Sequence, residues 1–265
     1  LADYFATVPH KKTKTQESYA LPGGKLVMKK QQPEYKHKDD VVIDWLKKNN
    51  NQQFIKVKEE LDWAGLKATV GVFNGTCVDE NGEIIPEALE VDKKVITAAS
   101  IIGCPVYNCG VNYTESKSFY ENCNIAIKYL GELIEFAKDK NVKIATYNCD
   151  WENFVIEPKA WNVVMSALPE LGIKYDISHC LSRNGDYFRE MLDWGERFYH
   201  FHLKGRVTIN GENYDDAPAG LDMIQWPAVM DILYTKDYDG MLSIEPHSHF
   251  WRGKKGQWGI DYSIN

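Results

Sequence analysis

The chain has 265 residues, of which 44% are hydrophobic and 26% charged, an ordinary composition for one large globular domain or two small ones. Its 31 Lys and Arg residues against 38 Asp and Glu residues give a net charge of −7. This balance excludes a broad basic surface, so we expect no nucleic acid partner. No apolar run approaches the roughly 18 residues of a membrane-spanning helix, and we expect no membrane partner.

The N-terminus lacks the charged and apolar zones of a signal peptide, which predicts a cytoplasmic protein. The sequence starts at Leu1 rather than Met, so a cleaved leader and a periplasmic location remain the alternative.

From residue 41 onward, short apolar or β-branched runs alternate with amphipathic stretches. In residues 115–140, apolar side chains recur at steps of three and four, which predicts a helix. Alternating strands and helices favour a parallel sheet, and about 250 residues is the usual size of a (β/α)8 TIM barrel. We therefore predict an α/β fold of this type. Seven strands are predicted, at residues 41–43, 67–73, 105–108, 142–147, 173–177, 198–203 and 240–245.

The two ends of the chain fit this barrel less regularly. Residues 1–40 are polar, and the first strand is either 3–8 or 25–28. Residues 259–265 resemble the opening turn of a last helix that is short or missing. No internal repeat or composition shift marks a boundary, so we expect a single barrel domain over 1–265 with an irregular N-terminal segment.

Polar side chains gather at the C-terminal ends of the predicted strands, where TIM barrels build their active sites. Alternation in the strand 198–203 places His200, His202 and the following Lys204 on one face, and Tyr199 with the other apolar residues on the opposite face. A lone inward histidine would most simply belong to a polar core layer. Two histidines with a lysine favour a functional site.

Asp176 and Glu245 end two further strands with the same inward parity. Asp176 could instead cap the next helix, a common role for an aspartate after a strand. Burying Glu245 without a partner would be costly, so it needs a cation, a metal or several hydrogen bonds. Together with His202, these residues form a mixed nitrogen and oxygen set suited to Mn²⁺, Mg²⁺, Co²⁺ or Zn²⁺, and we expect a divalent metal ion as cofactor.

Other residues near the strand ends are candidates for substrate binding. Trp151 could stack on a sugar ring, but packing is an equal alternative. Lys204 and Arg206 could bind a phosphate or a carboxylate, or they could be solvated loop cations. Asn108 and His247 complete this set.

Four motifs give the chain a resemblance to a known family. They are Asp-x-x-His at 176 and 179, His-x-Lys at 202 and 204, Pro-Ala-Gly-Leu-Asp-Met-Ile-Gln-Trp at 218–226 and Ser-Ile-Glu-Pro at 243–246. In order and strand placement, over about residues 41–262, they resemble the xylose isomerase-like TIM barrels of the sugar phosphate isomerase/epimerase family.

This resemblance implies a divalent metal at the barrel mouth, bound by Asp176, His202 and Glu245. It also implies that Glu245 is an acid/base residue and that His179 binds or polarises the substrate. The implied function is an isomerase or epimerase of a keto sugar or sugar derivative, acting through an enediolate. A lyase or dehydratase on the same scaffold and a non-catalytic carbohydrate-binding relative are the alternatives. The expected partner is a small-molecule sugar, and the sequence leaves a homo-oligomer open.

The sequence departs from the family at the strand 142–147. Many relatives end this strand with a glutamate that binds metal and acts as a second base. Parity places Tyr147 there, although a bulge would present Asn148 instead, as a neutral oxygen ligand. Asp150 or Glu152 could also fold back into the mouth. We therefore expect a weak fourth ligand, and two-base epimerisation loses support.

Overall fold

The computed structural model describes residues 51–69, 71–72 and 75–264 of the chain. The segment 1–40, with both alternatives for the first strand, and the strand predicted at 41–43 lie outside the described residues. The prediction of a single domain over 1–265 therefore stays a prediction.

Strands and helices alternate through the described part of the chain. Its strands are β1 (Gly71–Val72), β2 (Val106–Cys109), β3 (Lys143–Tyr147), β4 (Gly172–Asp176), β5 (Phe198–Leu203), β6 (Val207–Ile209), β7 (Glu212–Asp215) and β8 (Leu242–Ile244). Its α-helices are α1 (Gln52–Ala64), α2 (Pro86–Ile102), α3 (Phe119–Ala137), α4 (Pro158–Ala167), α5 (Ile177–Ser182), α6 (Tyr187–Trp194), α7 (Trp226–Thr235) and α8 (Lys254–Ile264).

Six of the strands form one parallel sheet in the order β1-β2-β3-β4-β5-β8. Strands neighbouring in sequence are neighbours in the sheet up to β5, with helices between most of them, as in a (β/α)8 barrel. The predicted TIM barrel fold is confirmed. The six strands of this sheet lie within or within one residue of the predicted ones, and β1 is the shortest.

Local signals explain several boundaries. Helix α3 begins at Phe119, later than predicted, because Ser118 forms a capping box with Glu121. Strand β4 ends at Asp176 because the Asp176 side chain caps helix α5. The last helix, α8, has 11 residues and starts five residues before the predicted turn, so a last helix is present.

The hydrophobic core lies between the sheet and the helices, because side chains alternate between the inner and outer faces of the strands. On β4 and β5, the outward Tyr175, Phe198 and Phe201 are buried against the helices, with the rings of Tyr175 and Phe198 stacked at 4.5 Å. Tyr199 was predicted on this outward face, and that prediction is wrong. A bulge makes Tyr199 an extra residue between the paired positions, so its ring packs inside the barrel, over Gly172. A Cβ at Gly172 would lie 2.0 Å from that ring.

Strands β6 and β7 form an antiparallel hairpin that the sequence analysis did not predict. Its turn, Asn210-Gly211, has positive φ at both residues, 54° and 84°. Asparagine followed by glycine is the preferred sequence for such a turn, so the signal was present in the chain. Asp215 at the end of β7 accepts hydrogen bonds from Ser248 Oγ (2.8 Å) and the His249 N–H (3.2 Å), which fixes the loop after β8.

No helix within the described ranges combines the length and apolar character that crossing a membrane requires.

Candidate metal centre

The three predicted metal ligands come together at the C-terminal ends of β4, β5 and β8. Asp176, His202 and Glu245 each offer one ligand atom, and these atoms lie within 4.8 Å of one another. The sheet register explains this, because Asp176 pairs with His202 and His202 pairs with Ser243, two residues before Glu245 on the same face. Asp176 and His202 are buried, and Glu245 is partly exposed.

The donor set fits a divalent cation. Asp176 Oδ2 and His202 Nδ1 are both buried without a hydrogen-bond partner, and they lie 3.9 Å apart. Glu245 Oε2 lies 3.2 Å from His202 Nδ1. These two buried atoms converge with a carboxylate oxygen of Glu245, an arrangement that suits a cation with mixed nitrogen and oxygen ligands.

Asp176 serves two purposes, one with each carboxylate oxygen. Oδ1 accepts the Ser178 N–H at 2.8 Å and caps helix α5, while Oδ2 faces His202 and Glu245. The two interpretations of Asp176 that the sequence left open, helix cap and metal ligand, are therefore compatible. The cap fixes the side chain, which orients the remaining oxygen.

Lys204 extends into the same cluster. Its Nζ donates to Glu245 Oε2 at 3.1 Å, lies 3.2 Å from His179 Nε2 and makes an ion-pair contact of 3.1 Å with Asp176 Oδ2. The Lys204 side chain is only 3% exposed. The sequence placed Lys204 among the substrate-binding residues, and the structure places its ammonium group between the two carboxylates.

Asn148 contacts the backbone of Asp176. Its Oδ1 accepts the Asp176 N–H at 2.9 Å, and its Nδ2 donates to the Asp176 carbonyl at 2.8 Å. This pair of hydrogen bonds fixes the orientation of the amide and holds the end of β4 beside the end of β3. The structure thus gives Asn148, predicted as a metal ligand, a contact that positions Asp176.

No carboxylate replaces the missing glutamate at the end of β3 in the described structure. Tyr147 is buried there, and its hydroxyl donates to the Trp151 carbonyl at 2.9 Å. Asp150 is exposed, and Glu152 accepts a hydrogen bond from Thr76 Oγ1 at 3.2 Å. Neither joins the triad. Burial raises the pKa of the Tyr147 hydroxyl, so it stays protonated at neutral pH.

Arg183 is a residue of this region that the sequence analysis missed. Its guanidinium donates to the carbonyls of Asn148 and His179, both at 3.0 Å, and pairs with Glu190 at 3.2 Å. It thereby ties the end of β3 to helix α5, which carries His179. Nothing in the local sequence distinguishes Arg183 from a surface arginine.

The other predicted substrate-binding residues lie at different depths. Arg206 is buried rather than solvated, and its guanidinium donates to the Ser178 carbonyl at 3.0 Å. His247 Nε2 lies 3.6 Å from Glu245 Oε1, at the edge of the triad. Trp151 is 53% exposed. Asn108 is fully buried on β2.

Burial and charge fix the protonation of the cluster. Burial favours a neutral Asp176, but the nearby positive charges, that of Lys204 first, together outweigh burial and lower the Asp176 pKa. Burial likewise opposes charge on Glu245, and its contacts with His202 and His247 lower its pKa well below the usual range. Burial lowers the pKa of His179 to about 4 and also lowers that of His202. At neutral pH both carboxylates are ionised and both rings neutral, the states that bind a metal.

These features define a class of protein, a TIM barrel with a prospective metal centre at the C-terminal ends of its strands. The family model for the xylose isomerase-like TIM barrel matches residues 35–262, and the chain belongs to this family. A comparison with curated proteins finds no match.

Several solved structures share this fold. D-psicose 3-epimerase with D-tagatose from Clostridium cellulolyticum H10 is 14% identical, with a TM-score of 0.67 over 83% of this chain and 86% of that chain. 3-Keto-D-glucoside 4-epimerase from E. coli is 13% identical, with a TM-score of 0.63 over 81% and 87%. A D-tagatose 3-epimerase-like protein is 20% identical, with a TM-score of 0.63 over 81% and 85%. At these identities the likeness establishes the fold alone.

Proposed function

We propose that the protein is a divalent-metal-dependent sugar isomerase or epimerase that acts on a keto sugar or a sugar derivative. The observation that carries this proposal is the triad of Asp176, His202 and Glu245, with ligand atoms within 4.8 Å of one another. Membership of the xylose isomerase-like family supports it. The epimerases of similar fold suggest ketoses as the first substrates to test.

Glu245 is the proposed base. It is ionised, and its side chain is 30% exposed, so a substrate at the mouth can reach it. Its carboxylate would take the proton from the carbon next to the sugar carbonyl, which leaves an enediolate. A bound Mn²⁺, Mg²⁺, Co²⁺ or Zn²⁺ would polarise that carbonyl and make the proton more acidic.

The residues around Glu245 would bind and orient the sugar. His179 is neutral and its side chain is 23% exposed, so it can hydrogen-bond a substrate hydroxyl or carbonyl. His247 borders Glu245, and the exposed Trp151 ring is available for stacking on a sugar ring. Arg206 and Asn108 would act from below the surface, as buried polar groups.

A single carboxylate base favours proton transfer between adjacent carbons over epimerisation. In such an isomerisation, the base that removes the proton can return it to the neighbouring carbon on the same face. Epimerisation needs a proton delivered to the opposite face, and Tyr147 stands where the second base would be, with its hydroxyl bound to a carbonyl. We therefore place aldose–ketose isomerisation first.

The test uses D-psicose, D-tagatose and D-fructose separately in D₂O with MnCl₂, followed by NMR. We expect deuterium on the carbon next to the carbonyl and an isomerised sugar, with both lost in EDTA and in Glu245→Gln. Glu212→Gln, on an exposed strand of the hairpin, is the matched control and should react like the wild type. A dehydrated product would favour the lyase alternative. Exchange that persists in EDTA and in Glu245→Gln would contradict the proposal.

A further inference from the structure

The ammonium group of Lys204 lies among the atoms that would bind the metal. It contacts Asp176 Oδ2 and Glu245 Oε2, both at 3.1 Å, and His179 Nε2 at 3.2 Å. These two oxygens belong to the carboxylates that the triad would offer to a cation. A metal and the ammonium group therefore need the same oxygens.

The charges of the cluster balance with the lysines alone. Asp176 and Glu245 supply two negative charges, and Lys204 supplies one positive charge. Lys174 supplies another, since it lies two residues before Asp176 on the inward face of β4 and is only 7% exposed. A divalent cation added to this set, with both lysines in place, would leave two positive charges in excess in a buried site.

We propose that Lys204 competes with the metal ion for the two carboxylates, an inference that rests on the proposed metal site. Its ammonium group neutralises the carboxylates when no metal is bound, and it must leave Asp176 and Glu245 when a cation enters. The flexible four-carbon stem of lysine permits this movement. Lys204 therefore keeps the metal-free protein stable and weakens metal binding, so that occupancy follows the metal concentration.

The test compares MnCl₂ binding by the wild type and by Lys204→Met, measured by calorimetric titration. Methionine keeps most of the side-chain length and removes the charge. We expect Lys204→Met to bind Mn²⁺ at least tenfold more tightly. We also expect the metal-free variant to melt at a lower temperature than the wild type and Mn²⁺ to restore its Tm, because the carboxylates lose their internal cation. Lys138→Met removes the same charge from an exposed position directly after helix α3 and should change neither the Mn²⁺ affinity nor the Tm.

The outcomes distinguish failure of the competitor role of Lys204 from failure of the metal site itself. Equal or weaker binding by Lys204→Met overturns the competitor role and leaves the metal site standing. Tighter binding by the variant supports it, even where wild-type binding is too weak to measure. Binding by neither protein removes the metal site and the inference together. If Lys204→Met does not fold, Lys204→Gln gives the same comparison, because its amide can still donate to a carboxylate.

Discussion

Glu245 has two proposed roles, ligand and base, and two substitutions separate them. Gln keeps the shape and one ligating oxygen but lacks basicity, so Glu245→Gln should lose about 10² to 10⁴ in turnover while still binding Mn²⁺. Glu245→Ala should lose metal binding as well. Turnover of both variants is measured with the sugar that shows deuterium exchange. Their metal binding is measured by titration with Mn²⁺.

The control for Glu245 is Glu152→Gln, since Glu152 hydrogen-bonds Thr76 and stands apart from the triad. It should turn over sugar at the wild-type rate. A near wild-type rate in Glu245→Gln would remove Glu245 from the mechanism.

Asn148 is either a metal ligand or a residue that positions Asp176. The substitution Asn148→Asp, which adds one negative charge, distinguishes these two roles. Its amide holds the Asp176 backbone through two hydrogen bonds, and the loss of such a supporting contact typically costs 10- to 100-fold in metal affinity. We expect Asn148→Ala to weaken Mn²⁺ binding within that range. Asn148→Asp should weaken it too, because a carboxylate oxygen would face the Asp176 carbonyl. Tighter binding by Asn148→Asp in a Mn²⁺ titration would show that position 148 is a ligand.

At the scale of elements, α2, α3 and β2 share a buried carboxylate on the outer side of the sheet. Asp92 is 1% exposed and accepts hydrogen bonds from the hydroxyls of Tyr107 (2.8 Å) and Tyr129 (2.6 Å). Burial raises the pKa of Asp92 to about 7. This effect of burial is larger than the opposite effect of the two hydrogen bonds. The carboxyl group is therefore largely protonated in the folded protein below that pH.

This raised pKa predicts a pH-dependent stability. Between pH 4 and 7 the folded state holds the Asp92 proton and the unfolded state has lost it, so the free energy of unfolding falls as pH rises. A difference of roughly three pKa units between the folded and unfolded states corresponds to a loss of about 4 kcal/mol in the free energy of unfolding. This loss is complete once the pH exceeds the pKa of Asp92 in the folded state. Urea unfolding of the wild type and Asp92→Asn across this range measures it. The wild type should lose stability relative to the variant as pH rises, and a pH-independent difference would contradict the prediction.

Strand parity carried most of the sequence prediction of the site. Because side chains alternate along a strand, Asp176, His202 and Glu245 could be placed on one inward face before the structure was known. Parity failed at Tyr199, where a bulge adds one residue and turns the ring inward. The hairpin at Asn210 and Gly211 carried a usable turn signal, but β6 has only three residues and β7 is mostly polar, so neither formed a recognisable apolar run.

The whole molecule shows where sequence reasoning ends. Alternating strands and helices predicted the barrel, because that pattern and chain length admit few folds. The contacts that decide chemistry depend on how strands distant in sequence are aligned. Lys204, Asp176 and Glu245 meet from three different strand ends, and Arg183 joins the end of β3 to helix α5. No spacing within one segment encodes those distances.

We propose that Asp176, His202 and Glu245 together hold one divalent cation at the barrel mouth. Anomalous diffraction at the manganese absorption edge, from crystals grown with MnCl₂, tests it most directly. We expect one strong peak about 2 Å from Asp176 Oδ2, His202 Nδ1 and a Glu245 carboxylate oxygen, with Lys204 Nζ moved off both carboxylates. A peak bound by other residues, or a triad without a peak and with Lys204 still in contact, would contradict it.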